Sequence, residues 1–295
     1  MPFDLIALGE TMLALAPPPG ESVRSASRLL VDHAGAESNT CVGLARLGLR
    51  VAWVSRLGAD AAGDRILDAL GAERVDTQWV RRDATRPTGM MMKAPGAGVT
   101  YYRTGSAASE MNPDDLAGVP IADARAVLVT GVTALIGPRP HAAGLALLSA
   151  ARGLRIVDPN LRRGLWGSER RAQLVRPFID QCDLLLTGAH ELAELVGDGD
   201  AETLARRAAA RGPREIVVRD AASIGALTDG VWRTLEIERD AVVDPIGAGD
   251  AFNAGYIAVR LRGGSIEDAL RAGAHCGAAV TTAVSDTSGF PRTLD

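Results

Sequence analysis

The chain is short of several things. Only 4% of its 295 residues are aromatic, cysteine occurs 3 times, and its 32 basic residues include a single lysine, Lys93. Cys41, Cys182 and Cys276 lie far apart and are odd in number, which excludes a disulfide framework and a Cys-x-x-Cys metal knuckle. They read as small buried hydrophobes. The lone lysine lies in the run Met90-Met-Met-Lys93, with no Gly-Lys-Ser/Thr loop and no His-Arg-Asp motif, so P-loop and protein-kinase chemistry are excluded. Nucleotide handling, if any, falls to backbone amides and arginines. A basic surplus is absent too: 32 basic against 36 acidic residues give a formal charge of −4, with no field to draw the chain onto nucleic acid or anionic lipid. No apolar run approaches the ~20 residues of a membrane span, and the first residues lack a basic leader region. A soluble cytoplasmic protein is expected, without nucleic-acid or membrane partners.

What is present is ordinary globular composition, 47% hydrophobic and 23% charged, long enough for one large domain. Short runs at 5–8, 51–54, 126–130, 155–158, 183–187 and 215–218 are apolar nearly throughout, as in parallel strands buried on both faces. Between and beyond them, helical patterns occupy 38–48, 60–71, 140–152, 168–180, 189–196, 200–211, 249–262 and 266–284. This alternation predicts a doubly wound, mostly parallel α/β sheet flanked by helices. Residues 10–33 and 87–104 break the rhythm as strand pairs with Pro/Gly turns, the second around Pro95-Gly-Ala-Gly98. They are expected to form a small β-sheet lid over the carboxyl edge of the main sheet. No repeat or linker divides the chain, so 1–295 reads as one domain.

The sharpest local signal is Val242-Val-Asp-Pro-Ile-Gly-Ala-Gly-Asp-Ala-Phe-Asn253. A β-rich run ends at Asp244, and Gly247, Ala248 and Gly249 lead into a helix starting near Asp250. Glycines let a ligand approach the backbone, and successive amides opening a helix suit a transferring phosphate. A carboxylate at that positive end makes sense as a base beside the phosphate, taking a proton from an attacking hydroxyl. Asp is also favoured as a plain helix cap, and local physics leaves the two open.

Together with Ala34-Gly-Ala-Glu-Ser-Asn-Thr-Cys-Val-Gly-Leu-Ala-Arg-Leu-Gly48, this motif resembles the paired signatures of the ribokinase-like (PfkB) sugar kinases. The resemblance runs from Gly9-Glu10 to Gly289-Phe-Pro291. It implies a doubly wound core with a small β lid, and transfer of the ATP γ-phosphoryl to a sugar hydroxyl with Mg²⁺, with room for a monovalent cation. It makes Asp250 the catalytic base and the amides of Gly247, Ala248, Gly249 and Asp250 the anion hole. On the nucleotide side it implicates Asn160, Glu191, Arg219 and Gly225, with Glu191 reaching a metal through water. On the sugar side it implicates Gly35, Ala36 and Asn39; Asn39 also reads as a polar residue of a helix terminus.

Tyr101-Tyr-Arg103 and Asp158-Pro-Asn-Leu-Arg162, followed by Leu165-Trp166, are similar to the 2-keto-3-deoxygluconate kinase branch of that family. Arginine's planar fork suits a sugar carboxylate, which points to Arg103 and Arg162, and Tyr101 adds a hydroxyl and a flat face. Adjacent tyrosines on a strand face opposite ways, so only one of them meets the sugar. A kinase of a neutral sugar, of the fructokinase or ribokinase type, and a non-catalytic sugar-sensing relative are the competing expectations. The resemblance further implies a homodimer or higher homo-oligomer joined through lids. Several residues depart from the family pattern: Ala34 stands for Gly, Gly188 for Asn in Asn-x-x-Glu, Asp220 and Ala222 for the usual Thr and Gly, and Pro245 for a frequent Thr. His190-Glu-Leu-Ala-Glu194 superficially matches a zinc-protease helix but lacks its second histidine.

Overall fold

The computed structural model describes residues 2–94, 98–162, 164–220, 223–236, 247–281 and 287–294. Within them the strands are β1 (Leu5–Leu8), β2 (Met12–Ala16), β3 (Leu30–Ala34), β4 (Val51–Gly58), β5 (Val80–Asp83), β6 (Met90–Ala94), β7 (Gly98–Tyr102), β8 (Ala126–Thr130), β9 (Leu154–Asp158), β10 (Leu184–Gly188), β11 (Glu215–Arg219), β12 (Ser223–Thr228) and β13 (Val231–Glu236). The helices are α1 (Ala36–Arg46), α2 (Ala61–Ala72), α3 (Gly131–Leu135), α4 (Pro138–Ala150), α5 (Ser168–Ile179), α6 (Ala189–Val196), α7 (Ala201–Ala209), α8 (Ala248–Leu261) and α9 (Ile266–Thr281).

The main sheet has nine strands in the order β13-β12-β11-β10-β9-β8-β1-β4-β5, parallel except where β12 runs against both its neighbours. The pleat decides which core each residue enters. Along β1, Leu5 and Ala7 join the layer formed by α1, α2, α8 and α9, while Ile6 and Leu8 join the layer of α4 to α7. Both faces are therefore covered, which is why the central strands read as continuous apolar runs. The β12–β13 hairpin is an addition to the predicted alternation. Its turn, Asp229-Gly230, has φ of 51° and 77°, the two positive values a tight hairpin turn requires.

A second sheet has four strands, ordered β3-β2-β6-β7, with β2 and β6 parallel and the outer pairs antiparallel. Its inner face is a small cluster of Met12, Ala14, Ala34 and Met91, packed against Val99 and Tyr101. Register pairs Met91 with Tyr101 and Met90 with Tyr102, so the tyrosines face opposite ways and Tyr102 is 59% exposed. The turn at 95–97 lies outside the described residues.

The connections between the sheets meet at Glu10. The chain leaves β1 for β2 through Glu10 itself. It leaves β3 for α1 through Gly35, where a Cβ would stand 2.3 Å from the Glu10 carbonyl oxygen. It enters β6 through Gly89, where a Cβ would stand 2.8 Å from Glu10 Oε1. It leaves β7 through Arg103, whose Nε lies 3.1 Å from Glu10 Oε2.

Gly225 sits mid-strand in β12, opposite Val218 and Thr234, and a Cβ there would fall 1.9 Å from the Trp232 ring. Overpacking of this kind typically costs about 1–3 kcal/mol. Gly225→Ala is therefore expected to lower the unfolding free energy from urea titration by that amount, and Gly225→Ala combined with Trp232→Leu to recover most of it.

Candidate active site

In an open α/β sheet, ligands bind beyond the carboxyl ends of the strands, where the strand order reverses. Here that point lies between β1 and β8, flanked by the N-termini of α1 and α3 and, across the α1 contact, of α8. Gly247 caps α8 with a left-handed φ of 85°, so Asp250 is the third helical residue and not the cap. Its carboxylate is buried, and Asn39 Nδ2, in the first turn of α1, donates to Asp250 Oδ2 at 2.9 Å. The other end of that amide, Asn39 Oδ1, is buried without a hydrogen-bond partner. The first-turn amides of α8 have no intrahelical acceptor by the geometry of any helix start, which makes this turn a ready anion site.

On the sugar side the structure brings Gly35 and Ala36 to the start of α1 beside Asn39. Tyr101 lies on the inner face of the small sheet, and the Arg103 guanidinium stands 4.7 Å over its ring. Arg103 pairs with the buried Glu10, Nη2 lies 3.4 Å from Met12 Sδ, and Nη1 is buried without a hydrogen-bond partner. Arg162, in the loop after β9, is exposed.

The nucleotide-side residues form one network across the ends of β9, β10 and β11. Asp158 Oδ1 accepts from the Asn160 amide at 2.9 Å, and Asp158 Oδ2 accepts from Asn253 Nδ2 at 2.7 Å. Asn160 holds a left-handed φ of 37°. Glu191 accepts from the amides of Leu161 (2.7 Å) and Gly188 (3.1 Å), so glycine at 188 still offers its N–H although it lacks the asparagine side chain. Burial and the neighbouring Asp158 charge push Glu191 up, while Arg219 draws it down. Arg219 turns toward the protein: Nη1 donates to the Gly249 carbonyl and to Asn253 Oδ1, each at 3.0 Å, and Nη2 lies 3.6 Å from Asp158 Oδ2. These contacts brace the first turn of α8. Gly225 has a packing reason for lacking a side chain, the Trp232 ring. Asp220 donates its amide to the Ser223 carbonyl, Ala34 is part of the small-sheet cluster, and Ala222 and Pro245 lie outside the described residues.

Sequence reasoning gave no role to Glu10, Glu37 or Asn253. Asn253 was visible only as the residue one helical turn beyond Asp250. Glu37 is fully buried: Oε1 accepts from the Thr130 amide (3.0 Å), the Thr130 hydroxyl (2.8 Å) and the Thr133 hydroxyl (2.8 Å), and Oε2 has no hydrogen-bond partner. Only glycine at position 9 leaves room, since a Cβ there would stand 2.1 Å from the Glu37 carboxyl carbon.

A carboxylate held beside helix-start amides, with acceptors and a guanidinium on one side and a carboxylate–arginine network on the other, can deprotonate an alcohol next to a bound polyphosphate. The chain belongs to the PfkB family of carbohydrate kinases, whose model matches residues 3–293. It is an ATP-dependent sugar kinase. Among curated relatives, 2-dehydro-3-deoxygalactonokinase of Haloferax volcanii is 33% identical over 97% of this chain and 93% of its own. The 2-dehydro-3-deoxygluconokinase of Bacillus subtilis is 30% identical over 99% and 93%, and the fructokinase of Klebsiella pneumoniae 30% identical over 96% and 95%. A solved PfkB protein from a Polaromonas species is 33% identical, with a TM-score of 0.88 over 99% of this chain and 98% of that one. A putative ribokinase II of E. coli solved with ATP and Mg²⁺ shares the fold at a TM-score of 0.91 and 19% identity, covering 99% of this chain and 96% of that one. Among the described residues no helix is long and apolar enough to cross a membrane.

Burial pushes the Glu37 carboxyl above its usual range. A raised value favours the neutral acid in the fold, so this stabilisation is complete below the unfolded value of about 4.3 and is lost as pH rises through the folded value. Thermal unfolding measured from pH 4.5 upward should therefore decline less steeply for Glu37→Gln than for the parent; parallel curves would show that Glu37 is ionised throughout.

Proposed function

We propose that the protein phosphorylates the 6-hydroxyl of 2-keto-3-deoxygluconate, with Asp250 as general base. The observation that carries the chemistry is the buried Asp250 carboxylate, third residue of α8 and oriented by Asn39. The sugar acid is supported by the names of the Bacillus and Haloferax relatives and by the buried Arg103 guanidinium, whose Nη1 has no acceptor among the described residues. Its carboxylate would be held by Arg103 and, on closure of the small sheet, by Arg162; Tyr101 would lie against the sugar, near Gly35 and Ala36. Asn39 Oδ1 would accept from a sugar hydroxyl.

With the 6-hydroxyl against Asp250, the O–H bond breaks toward the carboxylate while the oxygen forms its bond to the γ-phosphorus. The bond from phosphorus to the bridging oxygen of ATP breaks, ADP leaves, and amides from Gly247 to Asp250 stabilise the charge gathering on the transferred group. The donor set fits Mg²⁺, since Asp158 and Glu191 offer only oxygen and lie at and just beyond the ends of neighbouring strands. Bound through water near these carboxylates, Mg²⁺ would neutralise phosphate charge. Asn160 and Arg219 would keep the network and the first turn of α8 in position.

A kinase of a neutral hexose is the competing reading. The Klebsiella fructokinase is equally similar, and Glu10 already balances the Arg103 charge. We propose, too, that subunits pair through the outer face of the small sheet, where Val31, Met90 and Tyr102 are exposed.

General-base assistance contributes ~10²–10⁴ in rate, so Asp250→Asn is expected to lower kcat at least ~10²-fold with the unfolding transition unchanged. Near-native turnover would reject the assignment. A panel of acidic and neutral sugars, read by ADP release, should favour the acid, and Arg103→Ala or Arg162→Ala should erase that preference. Sedimentation velocity should give a dimer that Tyr102→Glu dissociates.

A further inference from the structure

The ion pair at the crease between the sheets is incomplete on both sides. Glu10 is 2% exposed, and its Oε1 accepts from Ser106 Oγ at 3.2 Å. Its Oε2 stands 3.1 Å from Arg103 Nε, yet neither atom makes a well-aligned hydrogen bond. Opposite charge, more than directed bonding, holds the guanidinium there. The rest of the guanidinium is poorly served by the chain: Nη2 faces a thioether, a weak acceptor, the Tyr101 ring covers one face, and Nη1 has no partner. A buried N–H without an acceptor is costly, and a planar fork is best completed by a carboxylate. Glu10 is itself in no position to swing away or to serve both ends. The connections to β2, α1 and β6 close around it at Gly35 and Gly89, with a Cβ at Gly89 only 2.8 Å from Oε1.

We propose that Glu10 is a positioning residue for sugar-acid recognition: it anchors the Nε edge of Arg103 at the crease and thereby presents the Nη end to the carboxylate of the substrate. This rests on the reading of the substrate as a sugar acid held by Arg103. Both edges of one guanidinium are then used, the inner by the protein and the outer by the ligand, and Arg103 lies between the two like charges. Loss of the anchor leaves a long side chain free to choose other rotamers, so the damage falls on the affinity for the acid and not on phosphoryl transfer.

The test uses the full chain carrying Glu10→Gln, Glu10→Asp, Arg103→Ala and the Glu10→Gln/Arg103→Ala pair, with KM for 2-keto-3-deoxygluconate, KM for ATP, kcat and Tm measured for each. Losing one charge-assisted contact corresponds to roughly tenfold, so Glu10→Gln is expected to raise KM for the sugar acid ~10-fold while KM for ATP and kcat move less than about threefold. Glu10→Asp should recover part of the loss, and adding Glu10→Gln to Arg103→Ala should change KM by less than about twofold, since the two act through one group. A rise in both KM values together, a fall in Tm with KM unmoved, or an undiminished Glu10→Gln effect in the Arg103→Ala background would overturn the proposal. If Arg103→Ala leaves KM for the acid unchanged, the carboxylate clamp itself falls and this inference falls with it. If Arg103→Ala is damaging and Glu10→Gln is silent, only the role of Glu10 is lost.

Discussion

The hydrogen bond from Asn39 to Asp250 joins the starts of two helices across 211 residues of sequence. It can form only if α1 and α8 approach closely, and the sequence achieves this with small residues at their contact. A Cβ on Gly43 would stand 2.6 Å from the Ala254 methyl and 2.7 Å from the Phe290 ring. On the far side of α8, Gly255 lies against the α9 backbone at Ala272, and Gly273 lies under Phe252, each with no room for a methyl group. The three helices therefore pack as one layer. The proposed base and the side chain that orients it are brought together by helix packing, which is stiffer than a loop.

Three of the buried carboxylates at the site are stabilised in different ways. Asp250 receives a side-chain amide at a helix start, Glu10 receives a guanidinium, and Glu37 receives two hydroxyls and an amide with no cation beside it. These arrangements differ in what they leave available. An amide donor orients a carboxylate without removing its basicity to the extent a cation would, which suits a group that must accept a proton. A guanidinium is itself a binding surface, so the Glu10 pair can serve recognition. The hydroxyl cage around Glu37 ties Thr130 at the end of β8 to α1 and serves as a structural joint where the strand order reverses.

The apolar strand runs, the helical spacing and the Gly-rich start of α8 are physical patterns that act locally, and they were legible for that reason. The buried runs of β1, β8 and β10 are apolar because both sheet faces are covered, and the ends of α6 matched to the residue because Gly188 and Gly197 bracket it. The β12–β13 hairpin carried a clear Asp-Gly signal that a search for strand–helix alternation passes over. The directions of Arg219 and Arg103 were not legible. Their partners within the protein are near only in three dimensions: Arg219 reaches Asn253, and Arg103 reaches Glu10. For Gly225 the structure supplies a packing reason, since close packing of an indole demands glycine as close approach of a phosphate does.

The two halves of the site stand on different parts of the molecule. Asp158, Glu191, Arg219 and the start of α8 belong to the main sheet and its helices, bound to one another by the Asp158–Asn253–Arg219 network. Tyr101 and Arg103 belong to the small sheet, which joins the body through the crease at Glu10. On the proposed assignment, substitutions in the small sheet alter what is recognised without disturbing the groups proposed to move the phosphoryl. The curated relatives bear names for different sugars while aligning with nearly the whole of this chain, so added domains do not account for the difference. Separating recognition from chemistry in this way asks one thing of the crease, that it hold the small sheet in register with the base. A buried charge pair at the meeting point of the connections meets that demand better than an apolar contact, because its geometry is fixed by both position and sign.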